Sequence, residues 1–344
     1  MILKNLLTLF TLFISISAFS TLEIACDSLK INDGPYIFIQ DTILINKTIV
    51  NGEVITSNFP LNSKKINFET EKTVFKKVEK IAALSDIHGQ YDLAIKILMN
   101  NEVINKNLEW SFGKGHLVIV GDIFDRGDKV TETLWFIYHL EQQAEKSGGK
   151  VHYLLGNHEY MVLHNDIRYL NEKYMISTQL LGLSFPEMYG KQTILGRWLR
   201  SKSTILKIND NLFVHGGISE EFISNGFNLE ETNQLMRESI DREKKEMKTV
   251  PFYKKYYGTN GPIWYRGYFK DSFTEVELNS ILKKLGVNQI IVGHTSQKEV
   301  MSLFNNKVFV VDSSIKNGKY GELLIIKNNK FKRKTMQGCK VSFQ

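Results

Sequence analysis

Five short segments hold the residues able to do chemistry: Asp86-Ile87-His88, Gly121-Asp122-Ile123-Phe124-Asp125-Arg126-Gly127, Gly156-Asn157-His158-Glu159, His215-Gly216-Gly217 and Gly293-His294-Thr295. Together they supply Asp86, His88, Asp122, Asn157, His215 and His294. These are the oxygen and nitrogen donors of a site for two divalent metal ions. Asp122 has two carboxylate oxygens and can bridge cations about 3.5–4 Å apart. The Asn157 amide oxygen can ligate without adding charge. The set contains no cysteine, which argues against structural zinc and for Mn, Fe or Zn with positions left open to water. Arg126 can clamp phosphate oxygens with its planar fork. Arg266, in Gly261-Pro262-Ile263-Trp264-Tyr265-Arg266-Gly267, is a second clamp. His158 directly follows Asn157, so it can face a substrate and protonate a departing oxygen while Asp125 holds its other nitrogen. Two cations, two guanidiniums and a spare imidazole are what phosphate ester hydrolysis needs.

Taken singly, each signal has an ordinary reading. Asp-x-His and Gly-Asn are common in polar turns. A lone histidine is more often a satisfied core residue than a ligand, and Arg126 could pair with Asp125 or Glu159. Asp312 could orient a motif histidine or simply cap a turn. Tyr265 lies in the aromatic run 252–269, which could stack on an aryl leaving group or pack into the core. His116, His139, His152 and His164 lack a motif and are read as structural or exposed.

The elements that must position these groups are legible from periodicity. Ile81-Ala82-Ala83-Leu84, Leu117-Val118-Ile119-Val120, Val151-His152-Tyr153-Leu154-Leu155, Leu212-Phe213-Val214 and Gln289-Ile290-Ile291-Val292 are apolar runs of strand length. A polar cluster follows each, and in α/β folds such clusters sit at the carboxyl ends of strands, where ligands bind. Amphipathic helices are expected at 91–100, 131–146 and 274–285, a mostly helical insert at 160–205, and one charged helix over 228–248. Ser147-Gly148-Gly149 should end the second of these helices. Residues 308–311 and 321–327 should close the chain as a hairpin. Earlier, 36–39, 42–45 and 53–56 are β-rich, with turns expected at Asn32-Asp33-Gly34-Pro35 and Asn51-Gly52. Residues 61–78 read as a polar linker.

The 344 residues, with 42% hydrophobic and 24% charged, describe an ordinary folded protein rather than a disordered one. The net charge of +7 is scattered, and its one dense run, Lys330-Phe331-Lys332-Arg333-Lys334, reads as a solvated edge. No nucleic-acid partner is expected. Lys4, the apolar stretch 6–19 and Ala18-Phe19-Ser20 form an export signal over 1–20, implying a periplasmic or secreted protein with no stable membrane insertion once the signal is removed. Cys26 and Cys339 could pair in such a compartment or remain thiols; lipidation of Cys26 is the rival reading.

In this order, the five segments resemble the calcineurin-like metallophosphoesterase superfamily and its phosphoprotein phosphatase branch, whose pattern is GDxHG, GDxVDRG, GNHE, HGG and a late histidine. Ser85 and Phe124 depart from it without removing a ligand. Asp33-Gly34-Pro35-Tyr36 and residues 261–267 resemble the Shewanella-like phosphatase subgroup. The resemblance implies a four-layer α/β (α+β) fold, with a central β-sandwich flanked by helices and a small N-terminal β unit. The corresponding division is a signal at 1–20, the β unit and linker at 21–78, and a catalytic domain at 79–344. It places Asp86, His88 and Asp122 on one metal, and Asp122, Asn157, His215 and His294 on the other. It further implies Arg126 and Arg266 on phosphate, His158 with Asp125 as the acid, and attack by metal-bound hydroxide. The expected substrate is a phosphorylated protein, on Tyr or Ser/Thr, or a small phosphoester. The alternatives are hydrolysis of a dinucleoside polyphosphate or other diester or anhydride, and an exported metal-binding interaction module without catalysis.

Overall fold

The computed structural model describes residues 30–61, 66–224 and 226–343. The expected signal at 1–20 and Cys26 lie outside the described residues; Cys339 is exposed.

The five apolar runs become strands of two six-stranded sheets. In one, the order is β15-β14-β13-β5-β6-β7, where β5 (Lys80–Leu84), β6 (His116–Ile119) and β7 (Lys150–Tyr153) are parallel. Beside β5 runs the antiparallel hairpin of β13 (Glu322–Lys327) and β14 (Lys330–Thr335), edged by β15 (Lys340–Val341). In the other, the order is β11-β12-β10-β9-β8-β4, with the short edge strand β4 at Val74–Phe75. Here β9 (Asn211–Val214), β10 (Gln289–Val292) and β12 (Val308–Val310) are parallel. They are flanked by β8 (Ile205–Ile208) and β11 (Met301–Leu303).

Side-chain alternation along each strand divides the core in two. Ile81, Ala83, Val118, Phe213, Ile291, Phe309 and Leu324 meet between the sheets. Their neighbours Ala82, Leu84, Leu117, Ile119, Leu212, Ile290 and Val308 face outward onto helices. Parallel strands require crossovers, and helices supply them. α1 (Tyr91–Asn100) joins β5 to β6, and α2 (Val130–Lys146) joins β6 to β7. α2 turns its Leu134, Ile137, Leu140 and Ala144 inward and ends at Gly148, φ 73°. The result is helix, sheet, sheet, helix: the expected four layers.

The insert contains α3 (Asn157–Leu163), α4 (Glu172–Leu181) and α5 (Ile194–Arg200). The expected single helix over 228–248 is instead α7 (Leu229–Ser239) and α8 (Lys244–Met247), following the short α6 (Glu220–Ser224). The break has tertiary causes. Ser239 is buried and bonded to Tyr257, Ile240 is buried, and Asp241 is drawn into an ion pair with Arg200 at 2.9 Å. After α9 (Pro251–Tyr257), α10 (Glu275–Leu285) starts in a Thr274/Glu277 capping box. The expected terminal hairpin of 308–311 with 321–327 does not form: these strands belong to different sheets, each hairpinned to another partner.

The N-terminal β unit is a meander of β1 (Asp33–Gln40), β2 (Ile43–Val50) and β3 (Glu53–Pro60). Asn51 and Gly52 take positive φ, as a tight hairpin needs. The expected turn at 32–35 is an irregularity inside β1, between Asp33 and Tyr36. Buried Tyr36 and Ile49 dock the unit, and the Trp135 indole donates to the Pro35 carbonyl at 2.8 Å. The buried Asp33 carboxylate accepts from Tyr36 and Ser177, each at 2.6 Å. The stretch read as a linker is partly structural. β4 (Val74–Phe75) pairs with β8 at a sheet edge, and buried Glu71 accepts from His152 at 2.7 Å. No helix among the described residues is long and apolar enough to cross a membrane.

Candidate metal centre

All five motif segments leave the carboxyl ends of parallel strands at one edge of the sandwich. Ser85-Asp86 follows β5, Gly121-Asp122 follows β6, Asn157 follows β7, His215 follows β9 and His294 follows β10. At this edge the two sheets are stitched together. The His215 Nδ1–H donates to the Val120 carbonyl at 2.7 Å, and the His294 amide donates to Asp86 Oδ2 at 2.9 Å. Asp86, His88, Asp122, Asp125, Arg126 and His294 all carry positive φ, between 47° and 70°. This conformation is uncommon away from glycine and clusters at functional sites. Here it folds short loops back on themselves so that their side chains share one centre. Crowding explains the flanking glycines: a Cβ on Gly121 would lie 2.6 Å from His215 Nδ1, and one on Gly293 would lie 2.7 Å from Asp86 Oδ2.

Asp122 is the hub. Its Oδ2 lies 3.1 Å from His215 Nε2, 3.6 Å from His88 Nε2 and 3.9 Å from His158 Nε2. Ligand atoms of His88, Asp122 and His158 fall within 4.8 Å of one another, as do those of Asp122, His215 and His294. Asn157 Oδ1 is 2.9 Å from His215 Nε2, and Asp86 Oδ1 is 3.8 Å from His88 Nε2. All six predicted ligands are buried and converge.

The donor chemistry fits cations. His215 gives its Nδ1–H to Val120, and His88 gives its own to the Phe124 carbonyl at 2.6 Å. In each neutral ring Nε2 is then a lone pair aimed at oxygen acceptors, an arrangement that calls for a positive charge between them. His294 Nε2 is buried with no hydrogen-bond partner among the described residues. Burial pulls His88 down to about 3, and burial with His215 and Arg266 nearby holds His294 well below the usual range, so both are in the ligating neutral form. Burial also opposes charge on His215, but Asp122 and Asp86 outweigh it and raise it to about 10; a proton there stands where a cation would. Burial works against ionised Asp122 too, yet His215 and His158 hold it well below the carboxylate range.

The other predicted residues divide. His158 Nδ1 lies 2.5 Å from Asp125 Oδ2, the expected pairing. Arg126 and Arg266 are exposed at the rim; Arg266 feels the charges of Asp86, Asp122 and Asp312. Tyr265, expected at the substrate, is instead buried beneath Gly217 and packs edge-on against Tyr268 at 5.1 Å. The missing side chain at Gly217 makes room for the ring: a Cβ there would lie 2.8 Å from Tyr265 Cδ1. Asp312 orients no motif histidine. It accepts from Ser296 at 2.6 Å and the Ser314 amide at 3.0 Å, a turn cap, while backbone carbonyls orient His88 and His215.

From the sequence, Glu159 is expected only as a possible partner of Arg126. Its fully buried carboxylate accepts from the backbone amides of Asp122, Gly156, Ile123 and Phe124 at 2.7–3.2 Å. It therefore holds the loop carrying Asp122 and Asp125 against the one carrying Asn157 and His158. Glu159→Gln would turn an NH2 group toward two of those amides. We expect a loss of about 2–4 kcal/mol, the scale of buried donors left unmatched, read by denaturant unfolding. An unchanged midpoint would show that the loops hold themselves.

Residues 79–298 match the calcineurin-like phosphoesterase family. The chain is similar to the cold-active protein-tyrosine phosphatase of a psychrophilic Shewanella species, with 43% identity, a TM-score of 0.87, and coverage of 91% of this chain and 100% of that one. It is 26% identical over 297 residues to Shewanella-like protein phosphatase 2 of Arabidopsis thaliana, covering 73% of this chain and 75% of that one. It is 28% identical over 250 residues to Shewanella-like protein phosphatase 1 of Plasmodium berghei, covering 69% and 67%. The four-layer sandwich, the convergent Asp, Asn and His side chains and these likenesses agree that the chain is a phosphoesterase enzyme belonging to the calcineurin-like phosphoesterase family.

Proposed function

We propose that this enzyme is a two-metal phosphomonoesterase acting on phosphorylated proteins, phosphotyrosine foremost. The observation that carries the metal reading is the set of imidazole Nε2 atoms around Asp122, two fixed by backbone carbonyls and one without a partner. Asp86, His88 and Asp122 would hold one cation, and Asp122, Asn157, His215 and His294 the other. Mn or Fe suits this mix of carboxylate, amide and imidazole ligands. When bound, such cations acidify water and neutralise phosphate charge. The chain's own residues supply the remainder. Arg126 and Arg266 clamp the non-bridging oxygens from the rim. His158 donates a proton from Nε2 to the leaving oxygen. Asp125 fixes the ring through Nδ1. The named relatives support a phosphoprotein substrate, and Lys4 with the apolar stretch at 6–19 supports export.

The test is the full chain with Mn, assayed on phosphotyrosine and phosphoserine peptides, nucleotides and diadenosine tetraphosphate. Peptide turnover should exceed that of the tetraphosphate, vanish with a chelator and return with Mn. Turnover confined to dinucleoside polyphosphates, or indifferent to the chelator, would overturn the proposal.

A further inference from the structure

The residue beside the proposed acid that no motif includes is Tyr169. It is a large aromatic left 43% exposed, and its ring centre lies 5.3 Å from that of His158. The Arg126 amide donates to the Tyr169 carbonyl at 2.9 Å. The Arg126 guanidinium sits 5.0 Å from the ring centre and the Arg168 guanidinium 5.6 Å, and Arg168 is itself fixed by Asp166 at 2.8 Å. Asn171, two residues on, donates to the Arg126 carbonyl at 2.8 Å. Two grooves share neighbours of Tyr169 in their walls, one lined by Arg126, Asn171 and Lys173, the other by Asn157, Arg168 and Trp264. An exposed ring held by three charged or ring neighbours is preorganised, so little entropy is lost when a ligand settles on it.

We propose that Tyr169 is the substrate-selecting residue of the site, a platform for the aromatic ring of an aryl phosphate. This rests on the reading of His158 as donor to the leaving oxygen. An oxygen bonded to His158 Nε2 brings whatever it carries close to the Tyr169 ring, which lies beside that imidazole at a tilt of 50°. If it carries a phenyl group, the two rings can pack offset or edge-on; if it carries the methylene of serine, there is nothing to stack. Tyr169 thereby favours phosphotyrosine over phosphoserine without touching the phosphate, which the cations and arginines handle alike for both.

The experiment measures kcat/KM of the Mn-loaded full chain on two peptides with the same flanking sequence, one carrying phosphotyrosine and one phosphoserine. Tyr169→Ala should lower the ratio of the two values about fivefold, the scale of a lost aromatic pair. Tyr169→Phe should restore the ratio, and Tyr169→Leu should not. Equal losses on both peptides would mean that the ring only props Arg126 and His158, and would overturn the inference alone. So would a ratio that does not move. A parent enzyme that hydrolyses neither peptide would overturn the phosphatase reading and this inference together.

Discussion

Asp122→Asn is expected to lower kcat/KM on a phosphotyrosine peptide by about three orders of magnitude or more, the loss that follows from several kcal/mol of forfeited charge stabilisation. Three imidazole nitrogens lie within 3.9 Å of Asp122 Oδ2, while its Oδ1 accepts from the His158 amide at 3.0 Å. It is the one carboxylate that both triads of potential ligand atoms share. The amide is the same shape, so the loop retains its packing. It removes a charge, however, and must turn its NH2 group either toward the imidazole nitrogens that Oδ2 now faces or toward the His158 amide N–H that Oδ1 now accepts. Elemental analysis should find fewer than two ions per chain. A variant that keeps two ions and turns over within tenfold of the parent would show that Asp122 bridges nothing.

His158→Asn is expected to lower kcat by about 10²–10⁴-fold, the range of a lost general acid. The effect should depend on the leaving group. Phosphoserine expels a basic alkoxide that needs a proton as it departs, so it should suffer more than para-nitrophenyl phosphate, whose anion leaves readily. Metal content should not change, because His158 spends Nδ1 on Asp125 at 2.5 Å and its Nε2 is the most distant of the three nitrogens around Asp122 Oδ2. The geometry also states the competing outcome: His158 shares a 4.8 Å cluster with His88 and Asp122. Equal losses on both substrates together with a missing ion would make it a ligand rather than an acid.

The candidate ligands that converge in the fold were legible in the sequence because chemistry restricts residue types. Few side chains can bind a hard or borderline cation, and here the candidates follow apolar strand runs, all but Asp86 with a glycine next to them in sequence. Strand alternation and crossover helices were legible for a similar reason: a period of two or 3.6 is a local property, and burial demands it. What tertiary structure alone decided were the long-range partnerships. Glu159 bonds amides 35–37 residues away, which no local pattern announces. Tyr265 and Tyr169 are both aromatic residues near an arginine, yet the first fills the space under Gly217 and the second stays open beside His158. Asp312 sits at a strand end like Asp122, but its neighbours Ser296 and Ser314 use up its oxygens. β4 was hidden in a Lys-rich stretch because two residues are too few to show a period, and the edge of β8 recruits them. Composition and spacing decide which groups are present and where each strand delivers them; only the packed fold decides whether a polar atom meets a partner or is left facing an ion.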